Sequence, residues 1–312
     1  MLSTSRSVEM SNRGSQQQGL SIFDAARRFN VPFNQETLPQ SRRIHAGGLT
    51  FHYLEWGKPD MLPVVLLHGI AQQAHSWDFV SLALSDRYRV IALDARGHGD
   101  TQWAADGDYS IEAHQKDLDA FVAAVDLKNF VLIGHSMGGR NGYVYTYRRP
   151  ENVKALVIVD TGPDTATPGS ERIRRFVALS DELDSYDEFV ERVRQYTGRP
   201  EWMVHGSLQH AITEMPNGKW TWKYDKVIRS PGFVTPTWPR EQLWECVKSI
   251  NCPTKVIRGA NSDLFTNETM KKMTDILPRG SSAVVENAGH LVPGDNTRGF
   301  LEAIEPFLKD VS

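Results

Sequence analysis

Short, nearly continuous apolar runs recur along the chain at Val64 to Leu67, Tyr88 to Leu93, Phe130 to Ile133, Ala155 to Val159 and Thr254 to Ile257. Runs of this length bounded by polar turns fit strands buried on both faces, as in a parallel sheet. Helical patterns lie between and after them: Trp77 to Leu84, Ile111 to Val125, Met137 to Arg148, Arg240 to Ser249, Glu268 to Leu277 and Thr297 to Phe307. Within the second, Ser110 is placed to cap the helix, and Leu118, Phe121, Val122 and Val125 recur at helical spacing. Strand-helix alternation of this kind predicts right-handed crossovers and a mostly parallel, doubly wound α/β sheet. Upstream, Arg43 to Ala46 and Leu49 to Leu54 flank Gly47-Gly48, a pair suited to the positive-φ positions of a hairpin turn.

One interval breaks the rhythm. Between Asp160 and Cys252 there is no buried-strand run, only amphipathic stretches at Glu171 to Leu179, Tyr186 to Tyr196 and Trp202 to Ile212, followed by an Asn217-Gly218 hairpin signal. Residues 163–238 are therefore expected to form a mostly helical lid inserted into a core made of residues 21–162 and 239–312. Residues 1–20 are rich in Ser, Gln, Arg, Asn and Gly and read as a disordered leader. A short helix from Ile22 to Phe33, ending at Pro32, is expected after it.

Bulk charge narrows the partners. A formal net charge of -3 leaves no electrostatic footprint for nucleic acid or anionic lipid, so a small molecule is the expected partner. No run approaches the roughly 18 apolar residues of a membrane span, and the N-terminus lacks an apolar targeting segment. The two cysteines, Cys246 and Cys252, have no CxxC spacing and no neighbouring histidine. Free thiols in a cytoplasmic monomer or homodimer, with no cofactor and no metal, are the expectation.

The chemistry is concentrated where the Phe130 to Ile133 run ends in Gly134-His135-Ser136-Met137-Gly138-Gly139 and a helical pattern begins. A buried strand that turns into a helix at Gly-x-Ser-x-Gly is a nucleophile elbow, in which side chains at the glycines would collide with the neighbouring strand and helix. A serine hydroxyl needs a base to take its proton, and the base needs an acid to fix its tautomer. The chain order Ser, acid, His gives Asp263, in the loop after the Thr254 to Ile257 run, and His290, in the loop after Ala283-Val284-Val285. Asp160, at the end of the preceding apolar run and so also at a strand end, is the rival acid. The reading favours Asp263.

From about Arg43 onward the chain resembles α/β-hydrolase-fold serine hydrolases, the family of carboxylesterases, lactonases, monoacylglycerol lipases and carbon-carbon bond hydrolases. The resemblance rests on His68-Gly69, Asp94-Ala95-Arg96-Gly97-His98-Gly99, the elbow, the Gly259 to Asp263 turn and Ala288-Gly289-His290, in the family's order. It implies Ser136 as nucleophile, His290 as general base and then acid, and Asp263 as orienting carboxylate. It also implies an oxyanion hole from the backbone N–H groups of Ile70 and Met137. Ala71, Leu264 and Leu291, which follow those motifs, are expected to contact substrate together with Trp202 and Trp222. His68, His98 and His135, with Asp94 and Arg96, are expected to support loops, and Arg140 and Asn141 to sit on a helix surface.

Relatives that open epoxides or remove halogen carry an aspartate at the elbow, where this chain has Ser136. Carbon-carbon hydrolases of ring-fission products usually place Asn before the serine and Trp after the histidine, positions held here by His135 and Leu291. What remains is hydrolysis of small to medium esters, lactones or aliphatic polyester fragments through an acyl-enzyme. A carbon-carbon hydrolase, or a ligand-binding receptor on a slow hydrolase scaffold, are the alternatives.

Overall fold

A computed structural model describes residues 20–230, 233 and 237–312. The expected leader, apart from Leu20, lies outside the described residues. The chain opens with α1 (Ile22–Arg28), shorter than the sequence pattern suggested because Asn30 takes a left-handed conformation, φ 52°, that ends the helix before Pro32. Strands β1 (Gln40–Ala46) and β2 (Leu49–Trp56) form the expected hairpin, with Gly47 and Gly48 at φ 57° and 87°. After β3 (Pro63–Leu67), a 3-10 turn at Ala74–Trp77 leads into α2 (Asp78–Leu84). Then follow β4 (Arg89–Leu93), α3 (Ile111–Ala124), β5 (Phe130–His135), α4 (Met137–Arg148) and β6 (Val153–Val159). Ser110 caps α3, its hydroxyl accepting the Ala113 N–H at 3.2 Å.

Past β6 the chain leaves the sheet. It forms α5 (Thr167–Val177), β7 (Glu182–Leu183), α6 (Tyr186–Thr197), α7 (Glu201–Leu208), β8 (Ile212–Glu214) and β9 (Trp220–Trp222). It then returns through α8 (Arg240–Lys248), β10 (Thr254–Gly259), α9 (Asn267–Ile276), β11 (Gly280–Val285), α10 (Val292–Asp295) and α11 (Thr297–Val311).

Eight strands make one sheet in the order β1-β2-β4-β3-β5-β6-β10-β11. Only β1 with β2 and β2 with β4 run antiparallel; the other pairs are parallel. Alternation along the strands divides the core in two. Val64, Leu66, Val131 and Ile133 face α2 and α11. Val65, Leu67 and Leu132 face the other way, toward α3, α4 and α8. Both faces are covered, which explains why these runs read as continuous apolar sequence.

The segment between β6 and β10 has an apolar cluster of its own, built on Phe189, Val190, Val204, Leu208, Ile212, Trp222 and Tyr224. It differs from the helical expectation by a second sheet, β7-β9-β8. The Asn217-Gly218 pair does lie between β8 and β9, but in a longer loop in which the Met215 N–H donates to the Lys219 carbonyl at 2.7 Å, and only Gly218 has positive φ. Strands of two or three residues are too short to show a period of two, which is why the sequence concealed them. Among the described residues no helix is long and apolar enough to cross a membrane.

Candidate active site

Parallel strands β5, β6 and β10 are neighbours, so the loops at their C-terminal ends open onto one place. At the first, Ser136 is held at φ 53° and ψ -116°, a conformation that non-glycine residues rarely adopt. The turn is fixed by its backbone. The Ser136 N–H donates to the Val159 carbonyl at 3.0 Å, and the Gly138 N–H to the His68 carbonyl at 3.1 Å. A Cβ on Gly134 would be driven into the backbone of Gly138, and one on Gly138 into the Leu67 carbonyl. Only glycine allows helix α4 to start this close to β3 and β5.

His290 sits in the loop between β11 and α10, buried with 5% exposure. Its Nε2 lies 3.0 Å from Ser136 Oγ. On the other side, Nδ1 lies 2.8 Å from Asp160 Oδ2. Asp160 is fully buried at the C-terminal end of β6, at φ 51°, a conformation Asp tolerates better than most residues. Its Oδ1 accepts the Gly259 N–H at 2.8 Å, and its Oδ2 also accepts the Ser262 hydroxyl at 2.5 Å. Every partner of this carboxylate is a donor.

This arrangement corrects the expectation for the acid. Asp263 does not reach His290; it forms a two-pronged ion pair with Arg172 of α5, at 2.9 and 3.1 Å. Burial pushes its carboxyl up, but the hydrogen bond and charge of Arg172 more than reverse this and hold it below the usual carboxylate range. The reason lies in the turn after β10. Arg258 clamps the loop by donating to the carbonyls of Ala260, Ser262 and Phe265, and this presents Ser262 to Asp160 while Asp263 points at α5. The same turn removes Leu264 from the expected substrate contacts. It is buried but does not line the cavity described below, and its carbonyl accepts the Ala166 N–H at 2.8 Å.

The loop after β3 completes the floor. The Gly69 N–H donates to Gln72 Oε1 at 2.8 Å, and Ala71 takes a positive φ of 59°. Among the described residues the N–H groups of Ile70 and Met137 have no hydrogen-bond acceptor in the protein. Behind them, three histidines act as struts. His135 Nε2 donates to the His290 carbonyl at 2.8 Å, fixing the loop that carries His290. His68 Nε2 accepts the Ala95 N–H at 3.0 Å. Burial lowers the pKa of His68 and, followed by the nearby His68 ring, takes that of His98 down to about 3. Burial and then the adjacent His290 hold His135 well below its ordinary value. Asp94 accepts the Ala74 N–H at 2.5 Å and the Asp100 N–H at 2.9 Å, so it stabilises loops as expected. Arg96 is likewise structural, paired with Asp117 at 2.5 and 2.9 Å. Asn141 is buried, contrary to the surface position expected for it.

Above Ser136 and His290 opens a cavity of about 670 Å³. Ala71, Leu291, Trp202 and Trp222, the residues expected to contact substrate, line it together with Ile70, Ile173, Phe176, Val193, Tyr196 and Met203. Sequence reasoning missed a further wall, made by Ile22 and Ala25 of α1 and by Phe29 just past its end. Phe29 joins α2 of the core to α7 of the cap, the segment between β6 and β10, its ring centroid 5.4 Å from Phe79 and 5.0 Å from Trp202. The amphipathic pattern of α1 was visible in the sequence, but nothing local says which surface its apolar side covers.

The alpha/beta hydrolase fold family matches residues 63–297. An esterase of Mycobacterium tuberculosis is 28% identical over 282 residues, covering 87% of this chain and 90% of its own length. The crystal structure of that esterase aligns with a TM-score of 0.76 at 25% identity, over 93% of this chain and 99% of that one. A 3-hydroxybutyrate-oligomer hydrolase of Cupriavidus necator is 29% identical and covers 76% of this chain and 86% of its own. The 2-hydroxy-6-oxo-6-(2'-aminophenyl)hexa-2,4-dienoic acid hydrolase of Metapseudomonas resinovorans is also 29% identical, over 86% of this chain and 90% of its own. With five motifs in order, an elbow at the end of β5 and this match across most of its length, the chain belongs to the alpha/beta hydrolase fold family.

Proposed function

We propose that this protein is a serine hydrolase that cleaves carboxylic esters through an acyl-enzyme, with Ser136, His290 and Asp160 as its triad. One observation carries the reading: a continuous hydrogen-bonded line from Ser136 Oγ to His290 Nε2 at 3.0 Å and from His290 Nδ1 to Asp160 at 2.8 Å, at the floor of a largely apolar cavity.

The carboxylate of Asp160 requires a proton on His290 Nδ1, which leaves Nε2 with a lone pair facing the serine hydroxyl. Ser136 attacks the ester carbonyl as His290 takes its proton. Negative charge then develops on the carbonyl oxygen, to which the N–H groups of Ile70 and Met137 are free to donate hydrogen bonds. Each such donor is worth roughly 3 to 4 kcal/mol of barrier. His290 returns the proton to the leaving alcohol; a water, deprotonated by His290 in turn, then attacks the acyl-enzyme, and His290 gives that proton to Ser136 Oγ as the Oγ–acyl bond breaks and the acid leaves.

The cavity walls favour an uncharged, apolar acyl or alcohol portion, and about 670 Å³ lies in the range that holds a drug-sized ligand. Small to medium esters, lactones and short aliphatic polyester fragments fit this description, and the relatives named as an esterase and an oligomer hydrolase support it. Residues 163–238 serve as the lid, since α5, α6 and α7 supply much of the cavity roof. A cytoplasmic setting suits the two free thiols, Cys246 and Cys252. A second reading, cleavage of a keto-dienoic acid, is favoured by the Metapseudomonas relative, but His135 and Leu291 stand where such enzymes usually carry Asn and Trp.

A fluorophosphonate probe should label Ser136, and nitrophenyl esters should be hydrolysed faster than a vinylogous diketone of the ring-fission type. In Ser136→Ala, labelling should vanish and the rate should fall on the order of 10⁶-fold. Absence of labelling together with inactivity on an ester and lactone panel would refute the proposal.

A further inference from the structure

Beside the catalytic floor, the cavity wall holds a cluster of donors that ester hydrolysis does not use. His75 and Asp78 lie at the 3-10 turn and the start of α2, a few residues after the Gly69 to Gln72 loop. His210 comes from the other half of the molecule, between α7 and β8. Donor atoms of the three side chains all lie within 4.8 Å of one another, and all three residues line the cavity.

We propose that His75, Asp78 and His210 form a binding site for a divalent transition-metal ion of the zinc class, which bridges the cap to the core at the cavity wall. Two imidazoles and one carboxylate are a donor set that zinc accepts, with a fourth position left to water. The two rings are stacked, their centroids 3.5 Å apart and their planes within 11°. Ligand atoms around a tetrahedral zinc with bonds of 2.0 to 2.1 Å lie about 3.3 Å from one another. Splaying the two rings and drawing in the carboxylate would therefore close the triangle without moving a strand or helix.

The carboxylate is also prepared for a second partner. Asp78 Oδ2 lies 2.9 Å from His75 Nδ1, whereas Asp78 Oδ1 is buried and has no hydrogen-bond partner among the described residues. A buried carboxylate oxygen without a donor is costly, and a cation supplies what is missing. His75 is itself anchored. Its backbone N–H donates to Gln73 Oε1 at 2.6 Å, and the adjacent Ala74 backbone N–H donates to Asp94 at 2.5 Å. The backbone of the core half of the site is thus held in place, and His210 is the member that the cap brings to it. A bound ion would tie cap and core together, raise the unfolding temperature and slow the entry of bulky substrates. This last effect rests on the proposed hydrolysis; the first two do not.

The test uses the full-length chain, freed of metal with a chelator and titrated with zinc chloride by calorimetry and thermal unfolding. One equivalent should bind and raise the melting temperature. Affinity should fall at least tenfold in His210→Ala and in His75→Ala. Cobalt(II) should give visible bands characteristic of nitrogen ligation in the wild type and lose them in His210→Gln, a variant of similar size that guards against loss of folding. Hydrolysis of a bulky ester should slow at least tenfold with zinc in the wild type and much less with zinc in His210→Gln. Absence of binding would overturn the proposal, as would binding that is equally tight in these variants, which would place the ion elsewhere. If metal binds as described but ester hydrolysis is absent in every form, the site stands and the esterase reading falls.

Discussion

Replacing Asp160 with asparagine removes one charge and turns an acceptor into a donor at a site where every partner is a donor. The native carboxylate accepts from the Gly259 N–H, the Ser262 hydroxyl and His290 Nδ1. If the amide oxygen stays with Gly259, its NH₂ group meets His290 Nδ1 and can be satisfied only when that nitrogen is bare. The proton then moves to Nε2 and faces Ser136 Oγ at 3.0 Å, so the base can no longer accept from the nucleophile. If the amide flips, two N–H groups oppose each other at Gly259, at a cost of about 1 to 3 kcal/mol in stability. A wrong tautomer in a serine triad lowers kcat by about 10⁴, equivalent to about 5.4 kcal/mol of barrier.

Asp263→Asn is the matched control. Its ion pair with Arg172 is partly exposed, the two side chains at 36% and 42%, and a pair of that kind contributes at most about 1 kcal/mol. Ester hydrolysis should then change by no more than roughly fivefold, the rate equivalent of that energy. The assay is steady-state hydrolysis of a nitrophenyl ester, with the rate of fluorophosphonate labelling as a second readout and a thermal melt to verify folding. Labelling should slow in Asp160→Asn because the same base activates Ser136 toward the probe. Retention of more than a tenth of wild-type kcat in Asp160→Asn would refute the assignment, as would a comparable loss in Asp263→Asn.

The buried histidines make stability sensitive to acid well above the carboxylate range. His98, taken down to about 3, is neutral in the folded state while the unfolded chain takes up a proton below about 6.5, so its contribution is complete above 6.5 and declines as pH falls toward 3. At pH 5 this single residue has lost about 2 kcal/mol, from 1.5 pH units at about 1.4 kcal/mol each. His68, His114 and His135, all lowered chiefly by burial, add in the same direction, and they outnumber Asp78 and Asp117, which burial pushes up and which work the other way. Urea midpoints should therefore be clearly lower at pH 5 than at pH 7.5; equal midpoints would contradict the neutral assignment. Phe29→Ala, which opens the α1 wall where Phe29 meets Phe79 and Trp202, should lower kcat/KM for an octanoate ester by up to about tenfold while leaving the acetate ester nearly unchanged. An unaltered ratio between the two esters would show that α1 does not contact the acyl chain.

Much of this site was legible because its constraints are local. The elbow announces itself through Gly134 and Gly138, whose missing side chains are demanded by the backbones of α4 and β3 within a few residues or one strand. The sheet was legible because strands buried on both faces must be apolar at every position. The second sheet was not, since β7 and β8 are too short to carry a pattern and depend on β9 to pair them. The wall formed by α1 and the cluster of His75, Asp78 and His210 were hidden for a different reason. Each joins residues far apart in the chain, and no spacing rule connects a core turn to a cap loop.

The acid illustrates the limit most sharply. Strands β6 and β10 are parallel neighbours in register, Val159 opposite Ile257, so each ends near His290 and each is followed by an aspartate. Strand-end position therefore cannot separate Asp160 from Asp263. What separates them is the set of donors each meets. The turn held by Arg258 gives Asp160 the Ser262 hydroxyl and the Gly259 N–H, while α5 gives Asp263 the Arg172 guanidinium. A carboxylate surrounded by neutral donors keeps its charge available to the imidazole, whereas one already neutralised by a guanidinium has little left to orient it. The choice of acid is thus made by the side chains around the carboxylates, and a motif order of serine, acid and histidine is satisfied equally by either.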